Sequence, residues 1–340
     1  MPKCGSQITI CDVPIRFDTY KGCSHNCKYC FTYRKYNINN IEIDEGYESL
    51  KNFIDGKRNL QTNWCDWDIP IHWGGMSDPF QPVEKIKKNS LKCLELFAST
   101  KYPFIVSTKN TLPSEEPYYS LFKECNCVFQ CSAVCPTLSK IELGAPHFEE
   151  RLKMLEKMSK ICKRVVVRCQ PYMIQYHNEI KEQIKRFAEA GVYGIIYEAI
   201  KMQTKVNGMV KVGADFCYPK KQLELKFKEL KAECHKYGLK FFAGENRLRP
   251  MGDSLCCCGC EGLEGFKVNK YNLNHYIYDK ENCQPTEKMK NLVGGGMVFK
   301  ALKQENVVVN VLERSSFKDI MDTVFKDKKI IEDYLGESEK

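Results

Sequence analysis

Three cysteines, Cys23, Cys27 and Cys30, stand within eight residues in the stretch KGCSHNCKYCFTYR. An odd number of thiols cannot pair internally, and a spacing this tight suits one metal centre better than crosslinks. Three thiolates can wrap an iron–sulfur cluster that asks for four, leaving one iron open to a further ligand. An open coordination position is what separates catalytic from structural metal sites. The alternative is a zinc knuckle in which His25 supplies the fourth ligand. A second group, Cys256, Cys257, Cys258 and Cys260 in SLCCCGCEG, is also too dense for core packing. Alternate residues of an extended segment face one side, so Cys256 with Cys258, or Cys258 with Cys260, can chelate together. This group reads as an auxiliary iron–sulfur cluster or a zinc site, with Cys283 as a remote candidate ligand and a redox thiol run as the competing reading.

The whole sequence frames that chemistry. Its 340 residues are 43% hydrophobic and 28% charged, which excludes a disordered, fibrous or disulfide-stapled miniature chain. No run reaches the roughly 18 apolar residues of a membrane span, and MPKCGSQITICDVP has no signal-peptide centre, so a cytoplasmic location is expected. In reducing cytosol, twenty cysteines favour metal binding or thiol chemistry over disulfides. Many of them, such as Cys93, Cys162 and Cys234, sit singly in apolar runs as small core hydrophobes. The net charge of +9 suits an anionic partner, but only ten of the 52 basic residues are arginine, the residue favoured for bidentate phosphate contacts.

The elements that must position the cysteines are legible as apolar runs. IPIHW, FIVST, CVFQCSA, RVVVRC, YGIIYEAI and LKFFAG alternate with helix-periodic stretches such as VEKIKKNSLKCLELF and HFEERLKMLEKMSKI. That alternation predicts βα units around a parallel sheet, six or seven of them once the strand before Cys23 is counted. In parallel barrels, chemistry gathers at the C-terminal ends of strands. The cysteine loop, Gly74, Gly75, Ser107, Lys109, Ser132, Arg168 and Glu198 all fall at such ends and are expected to face one pocket.

CxxxCxxC with an aromatic, Tyr29, before its last cysteine resembles the signature of the radical SAM superfamily. IHWGGMSDPFQPVE (71–84), FIVSTKN (104–110) and LGAPHFEERLKMLEKM (143–158) are similar to segments of its spore photoproduct lyase-like branch. The likeness spans roughly residues 13–200 and implies an α/β fold, a partial (β/α)6 radical SAM barrel. It also implies a 4Fe-4S cluster on Cys23, Cys27 and Cys30 whose open iron binds S-adenosyl-L-methionine (SAM). Gly74 and Gly75 would hold the SAM amino group through their carbonyls, Lys109 and Arg168 its carboxylate, and Ser132 a ribose hydroxyl, with Ser107 on the same rim. Met76 departs from the pattern, since many members place glutamate after the glycines.

The resemblance implies reductive cleavage of SAM to a 5'-deoxyadenosyl radical, fed by a flavodoxin- or ferredoxin-type donor. A nucleic acid or nucleobase is the implied substrate. The alternatives are peptide or protein modification using an auxiliary cluster, and a non-catalytic iron–sulfur or zinc protein. RLRPMGD breaks the periodicity, placing the barrel at 1–250 and a cysteine-rich C-terminal extension at 251–340. That extension carries a Gly294-Gly295-Gly296 turn, lacking the lysine of a P-loop, and a final amphipathic helix after a Ser316-x-x-Asp319 cap.

Overall fold

A computed structural model of the chain describes residues 1–4, 6–34, 37–293 and 315–336; the triple glycine lies outside them. Seven strands form one sheet: β1 (Arg16–Phe17), β2 (Ile71–Trp73), β3 (Phe104–Thr108), β4 (Cys127–Ser132), β5 (Arg164–Tyr172), β6 (Gly194–Ala199) and β7 (Lys240–Ala243). They lie side by side in chain order, every neighbour parallel, with β1 and β7 at the edges. Between successive strands run α1 (Tyr47–Ile54), α2 (Asn89–Thr100), α3 (Tyr118–Glu124), α4 (Phe148–Met158), α5 (His177–Glu189) and α6 (Lys220–Lys236). This is the expected α/β partial barrel. Parallel strands require such crossovers, and helices covering one face leave the other to carry the site.

Residue alternation sorts the two faces. On the helix side, Phe104 and Val106 of β3 join Trp73, Phe80, Phe97 and Phe122 in the larger core, with Phe97 and Phe104 stacked at 4.1 Å between ring centroids. On the concave side, Ile105, Val128, Val166, Ile196 and Phe242, one from each of five adjacent strands, form a second apolar layer. Cys256, Cys258, Cys260 and Phe266 pack onto that layer.

The chain after β7 therefore runs across the barrel floor. It starts where Asp253 N donates to Phe241 O (2.8 Å) and finishes where Asn269 N donates to Asp12 O (2.8 Å), just before β1. Arg164 fastens its middle by donating to the carbonyls of Gly259 (2.9 Å) and Glu261 (2.8 Å). A β-carbon on Gly259, whose φ is +73°, would lie 2.9 Å from Val166, so only glycine brings the segment this close.

The C-terminal amphipathic pattern forms two helices rather than one. The Ser316 and Asp319 capping box starts α7 (Phe317–Lys326), and Asp327, in extended conformation, ends it and caps α8 (Lys328–Leu335) through the amides of Lys329 and Ile330. Phe317 stacks on Trp64 (6.0 Å) and Phe325 on Tyr276 (4.6 Å), which docks the tail on the main core.

Candidate active site

The three-cysteine loop follows β1 and is strapped from two directions. Beneath it lies the segment after β2. Ser77 Oγ (2.6 Å) and Gln81 Nε2 (3.0 Å) both donate to Gly22 O, and Gln81 Oε1 accepts from Ser24 N (2.9 Å). Asp78 accepts from His25 Nε2 (3.0 Å), Thr108 Oγ1 (2.8 Å), Lys109 N (2.7 Å) and Phe80 N (2.9 Å). Glu84, buried, accepts from the hydroxyls of Tyr20 (2.5 Å) and Tyr118 (2.8 Å) and from the amides of Ser90 (2.9 Å) and Leu91 (2.8 Å). The polar residues of SDPFQPVE thus act as clamps, fixing the loop and the end of β3 relative to each other.

From the other side comes residues 141–144. Lys28 N donates to Ile141 O (3.1 Å) and Gly144 N to His25 O (2.9 Å), and Cys27 forms an antiparallel bridge with Glu142. A β-carbon on Gly144 would lie 2.1 Å from Ser24 O, so the strap is seated backbone on backbone. Glu142 is buried and accepts from Tyr29 Oη and Arg151 Nη2. This explains the aromatic before the last cysteine: its hydroxyl reaches the strap.

Cys27 is buried, and Cys23 and Cys30 are half-buried. Burial, then the charges of Cys30, Cys27 and Cys23, raise the pKa of the neighbouring Tyr33. Burial and the nearby Asp78 carboxylate push the Cys23 thiol up to about 12, and burial raises Cys27 as well, so ligation must displace protons. His25 Nδ1 is hydrogen-bonded with Gly144 O (2.9 Å) and Nε2 with Asp78, so both ring nitrogens are engaged and neither faces a metal. The zinc knuckle with His25 is therefore not the arrangement in this structure. Among the described residues, no three His, Cys, Asp or Glu side chains are arranged around one point as ligands of a single ion.

The glycine segment adjoins the loop. Gly74 has φ +84°, and a β-carbon there would meet Ser107 O at 2.5 Å and Pro79 Cδ at 2.8 Å. The amides of Met76 (2.9 Å) and Ser77 (3.2 Å) donate to Asp18 Oδ1. Burial pushes Asp18 up to about 7 despite these amides and Arg16. Asp18, just after β1, thus places a carboxylate beside the turn that carries Met76, and the order of the sequence gave no sign of it. Lys109 sends its ammonium over the Tyr29 ring (5.8 Å) toward Cys27 and Glu142. No hydrogen-bond acceptor is recorded for that ammonium among the described residues, and such a cation suits a bound anion.

The remaining rim candidates separate. Ser107 is held inside the concave face: His72 Nε2 donates to its Oγ (2.8 Å), which donates to Gln130 Oε1 (3.0 Å). Burial and the charges of Arg16 and Arg168 keep the His72 pKa well below its usual value, consistent with Arg16 donating to His72 Nδ1. Arg168 donates to Gln130 (3.3 Å) and Gln170 (2.5 Å) and pairs with Glu198 (3.5 Å), so its charge already has a partner. Ser132, beside Arg168 in register, offers its carbonyl to Arg151 Nη1 (2.8 Å).

The second cysteine group lies on the concave face below this chain of bonds, since Gln130 Nε2 donates to Cys258 O (3.0 Å). Cys256 and Cys260 bring their sulfurs to 3.4 Å. Contact with Cys258 and Cys260 holds Cys256 well below the usual thiol range, and contact with Cys258, helped by Arg249, holds Cys257 at about 6. Cys283 is elsewhere, its thiol on Asn272 O (3.7 Å). Cys11, a single cysteine far away in the sequence and without a local motif, lies against Cys258.

No protein-family model matches the sequence, and no curated protein matches it. Solved structures do. The fold, an α/β partial barrel built on a seven-stranded parallel sheet, is shared with them. More particularly, it is similar to spore photoproduct lyase. A point variant of that enzyme superposes with TM-score 0.54 at 13% identity, over 68% of this chain and 76% of the other. The enzyme complexed with dinucleoside spore photoproduct gives 0.52 at 14% identity over the same shares. A variant with bound AdoMet and dinucleoside spore photoproduct gives 0.50 at 14%, again over 68% and 76%.

Proposed function

We propose that this chain is a radical SAM enzyme whose 4Fe-4S cluster is held by Cys23, Cys27 and Cys30 and whose substrate is a nucleic acid or nucleobase. One observation carries the reading: a three-cysteine loop, doubly strapped at the C-terminal edge of a seven-stranded parallel sheet, beside a glycine turn, a buried carboxylate and an ammonium with no recorded acceptor. The donor set suits the cluster, with three thiols in one loop and His25 otherwise engaged.

When bound, the cluster supplies one electron to SAM, whose cleavage gives methionine and a 5'-deoxyadenosyl radical that abstracts hydrogen from the substrate. The chain's own work is positioning. Gly74 and Gly75 would present carbonyls to the SAM ammonium, with Asp18 supplying the negative charge that Met76 lacks. Lys109 would take the SAM carboxylate, and Ser132 is the candidate for a ribose hydroxyl. Arg168, paired with Glu198, and Ser107, bonded to His72, are assigned to shaping the wall between SAM and the floor. The nucleic-acid assignment is supported by the +9 charge and by the dinucleoside bound in the similar enzyme. A flavodoxin- or ferredoxin-type protein would deliver the electron. No helix among the described residues is long and apolar enough to cross a membrane.

A second reading, radical modification of a peptide or protein, is favoured by the cysteine group under the site, because an auxiliary centre there would adjoin bound substrate. The deciding experiment is anaerobic reconstitution with iron and sulfide followed by dithionite-driven SAM cleavage. The unsubstituted chain should form 5'-deoxyadenosine, and the Cys23→Ala, Cys27→Ala, Cys30→Ala triple variant should not. Absence of SAM cleavage by the reduced, iron-loaded chain refutes the enzyme reading. Transfer of hydrogen between labelled SAM and a dinucleotide, rather than a peptide, would decide between the substrates.

A further inference from the structure

Five thiols gather on the barrel floor. Cys258 neighbours Cys11, Cys256 and Cys257, and Cys256 and Cys260 bring their sulfurs to 3.4 Å. Cys256, Cys258 and Cys260 are buried against Val13, Ile105, Val128, Val166, Ile196 and Phe242, a dry wall. Cys11 arrives from before β1 and the other three from after β7, so the group straddles the two edge strands of the sheet.

Its surroundings are cationic. Arg16 donates from Nη2 to the Cys11 sulfur (3.8 Å) and from Nη1 to neutral His72. Arg249 is only 5% exposed and lies against Cys257. Its Nη2 donates to Asn246 Oδ1 (2.8 Å), but Nε and Nη1, both buried, have no hydrogen-bond partner. Of the acids nearby, Asp12 is bonded to His275 (3.0 Å) and Asn272 (3.1 Å), and Asp18, whose charge acts on Arg16, accepts from the amides of Met76 and Ser77. One buried guanidinium, Arg249, and one half-buried, Arg16, that make no carboxylate salt bridge among the described residues would be costly around neutral thiols. They are balanced if the thiols are ionised, and soft thiolates gathered in this number select iron–sulfur clusters or zinc.

We propose that Cys11, Cys256, Cys258 and Cys260 form a four-thiolate site for a thiophilic metal centre, iron–sulfur or zinc, with Arg16 and Arg249 offsetting its negative charge. The sulfurs run in a chain and surround no common point, so loading requires side-chain rotation on a backbone already pinned by Arg164, Gln130 and Asp253. Cys257 lies on the Arg249 side, outside the four. The site deepens the auxiliary-centre reading by supplying its ligand from the other end of the chain, and it does not depend on SAM chemistry.

The test uses the full chain carrying Cys23→Ala, Cys27→Ala and Cys30→Ala, so that any metal left belongs elsewhere. After anaerobic preparation with iron and sulfide or with zinc, elemental and acid-labile sulfide analysis should find one further centre per chain. Iron with sulfide would identify a cluster, and zinc alone a mononuclear site; either supports the proposal. Adding Cys11→Ser should remove at least half of that metal, and Cys283→Ser should remove none. Should Cys11→Ser fail to fold, differential alkylation of the unsubstituted chain serves instead: Cys11 and Cys258 should become reactive in step with removal of metal by chelator. The proposal is overturned if the triple variant binds no metal, if Cys11→Ser leaves the metal unchanged, or if Cys11 alkylates independently of metal. SAM cleavage by the unsubstituted chain is scored separately, so failure of this site and failure of the enzyme reading are distinguishable.

Discussion

Asp78→Asn tests whether the motif after the glycines exists to hold the cysteine loop. The native carboxylate is buried and accepts from His25, Thr108, Lys109 N and Phe80 N. Burial alone would raise its pKa, but the charge and hydrogen bond of His25 and the two amides outweigh it and hold Asp78 down at about 2. From the ordinary 3.8, that shift corresponds to roughly 2 kcal/mol at 1.36 kcal/mol per unit. Asparagine keeps one acceptor oxygen and turns an NH2 toward donors, and breaking a buried pair costs about 3–5 kcal/mol. Denaturant unfolding of the metal-free chain should register that loss, and a chelator should strip iron from the reconstituted variant faster. The pH sign is fixed by the depressed pKa. The native contribution is complete above pH 3.8, is lost as pH falls toward about 2, and should be missing from the variant's acid titration. If the variant unfolds within about 0.5 kcal/mol of native, as an ordinary surface substitution does, and keeps its iron as long, the clamp argument is wrong.

Gly144→Ala should push the strap off Ser24, because its β-carbon would start 2.1 Å from that carbonyl; reduced iron retention with near-native circular dichroism is the expected result. Lys109→Gln removes a charged hydrogen bond worth about 1.5–3 kcal/mol, so SAM should bind roughly ten- to a hundredfold more weakly by calorimetry, while iron content holds. Asp18 is raised to about 7, and only its ionised form attracts an ammonium, so SAM affinity should climb as pH rises toward and through that value, and Asp18→Asn should flatten the profile. Trp64→Ala removes the stacking partner of Phe317 and should cost about 3–5 kcal/mol in thermal or denaturant unfolding, with protease cleavage appearing first in the tail.

The features legible in the sequence were those written locally. Every strand from β2 to β7 coincides with an apolar run, and the Ser316 and Asp319 cap forms as its spacing predicts. The three-cysteine loop is at a strand end because its spacing and flanking strand both belong to one segment. What was illegible depends on contacts across the sheet. Asp18 reaches the turn at Met76 from the end of another strand, and Cys11, which belongs to no motif, lies against Cys258 whereas Cys283 lies on Asn272. Ser77, Asp78, Gln81 and Glu84 were recognisable as a pattern, but their work as clamps appears only once their partners at Gly22, His25 and Tyr20 are seen. The break at Asp327 was hidden because apolar spacing carries on across it while the backbone turns to cap a second helix.

The floor segment sets an order on biosynthesis. Every clamp on the three-cysteine loop comes from residues up to Arg151, so that loop can acquire its final shape on a nascent chain still emerging from the ribosome. Cys11 precedes the loop in translation yet must wait for Cys256 to Cys260, and Asp12 for Asn269 and His275. The earliest-made edge of the sheet is thus the last to be sealed. Until then its concave apolar layer lacks the cover of Cys256, Cys258, Cys260 and Phe266, and a chain cut before Cys256 would have a finished loop and an unfinished floor.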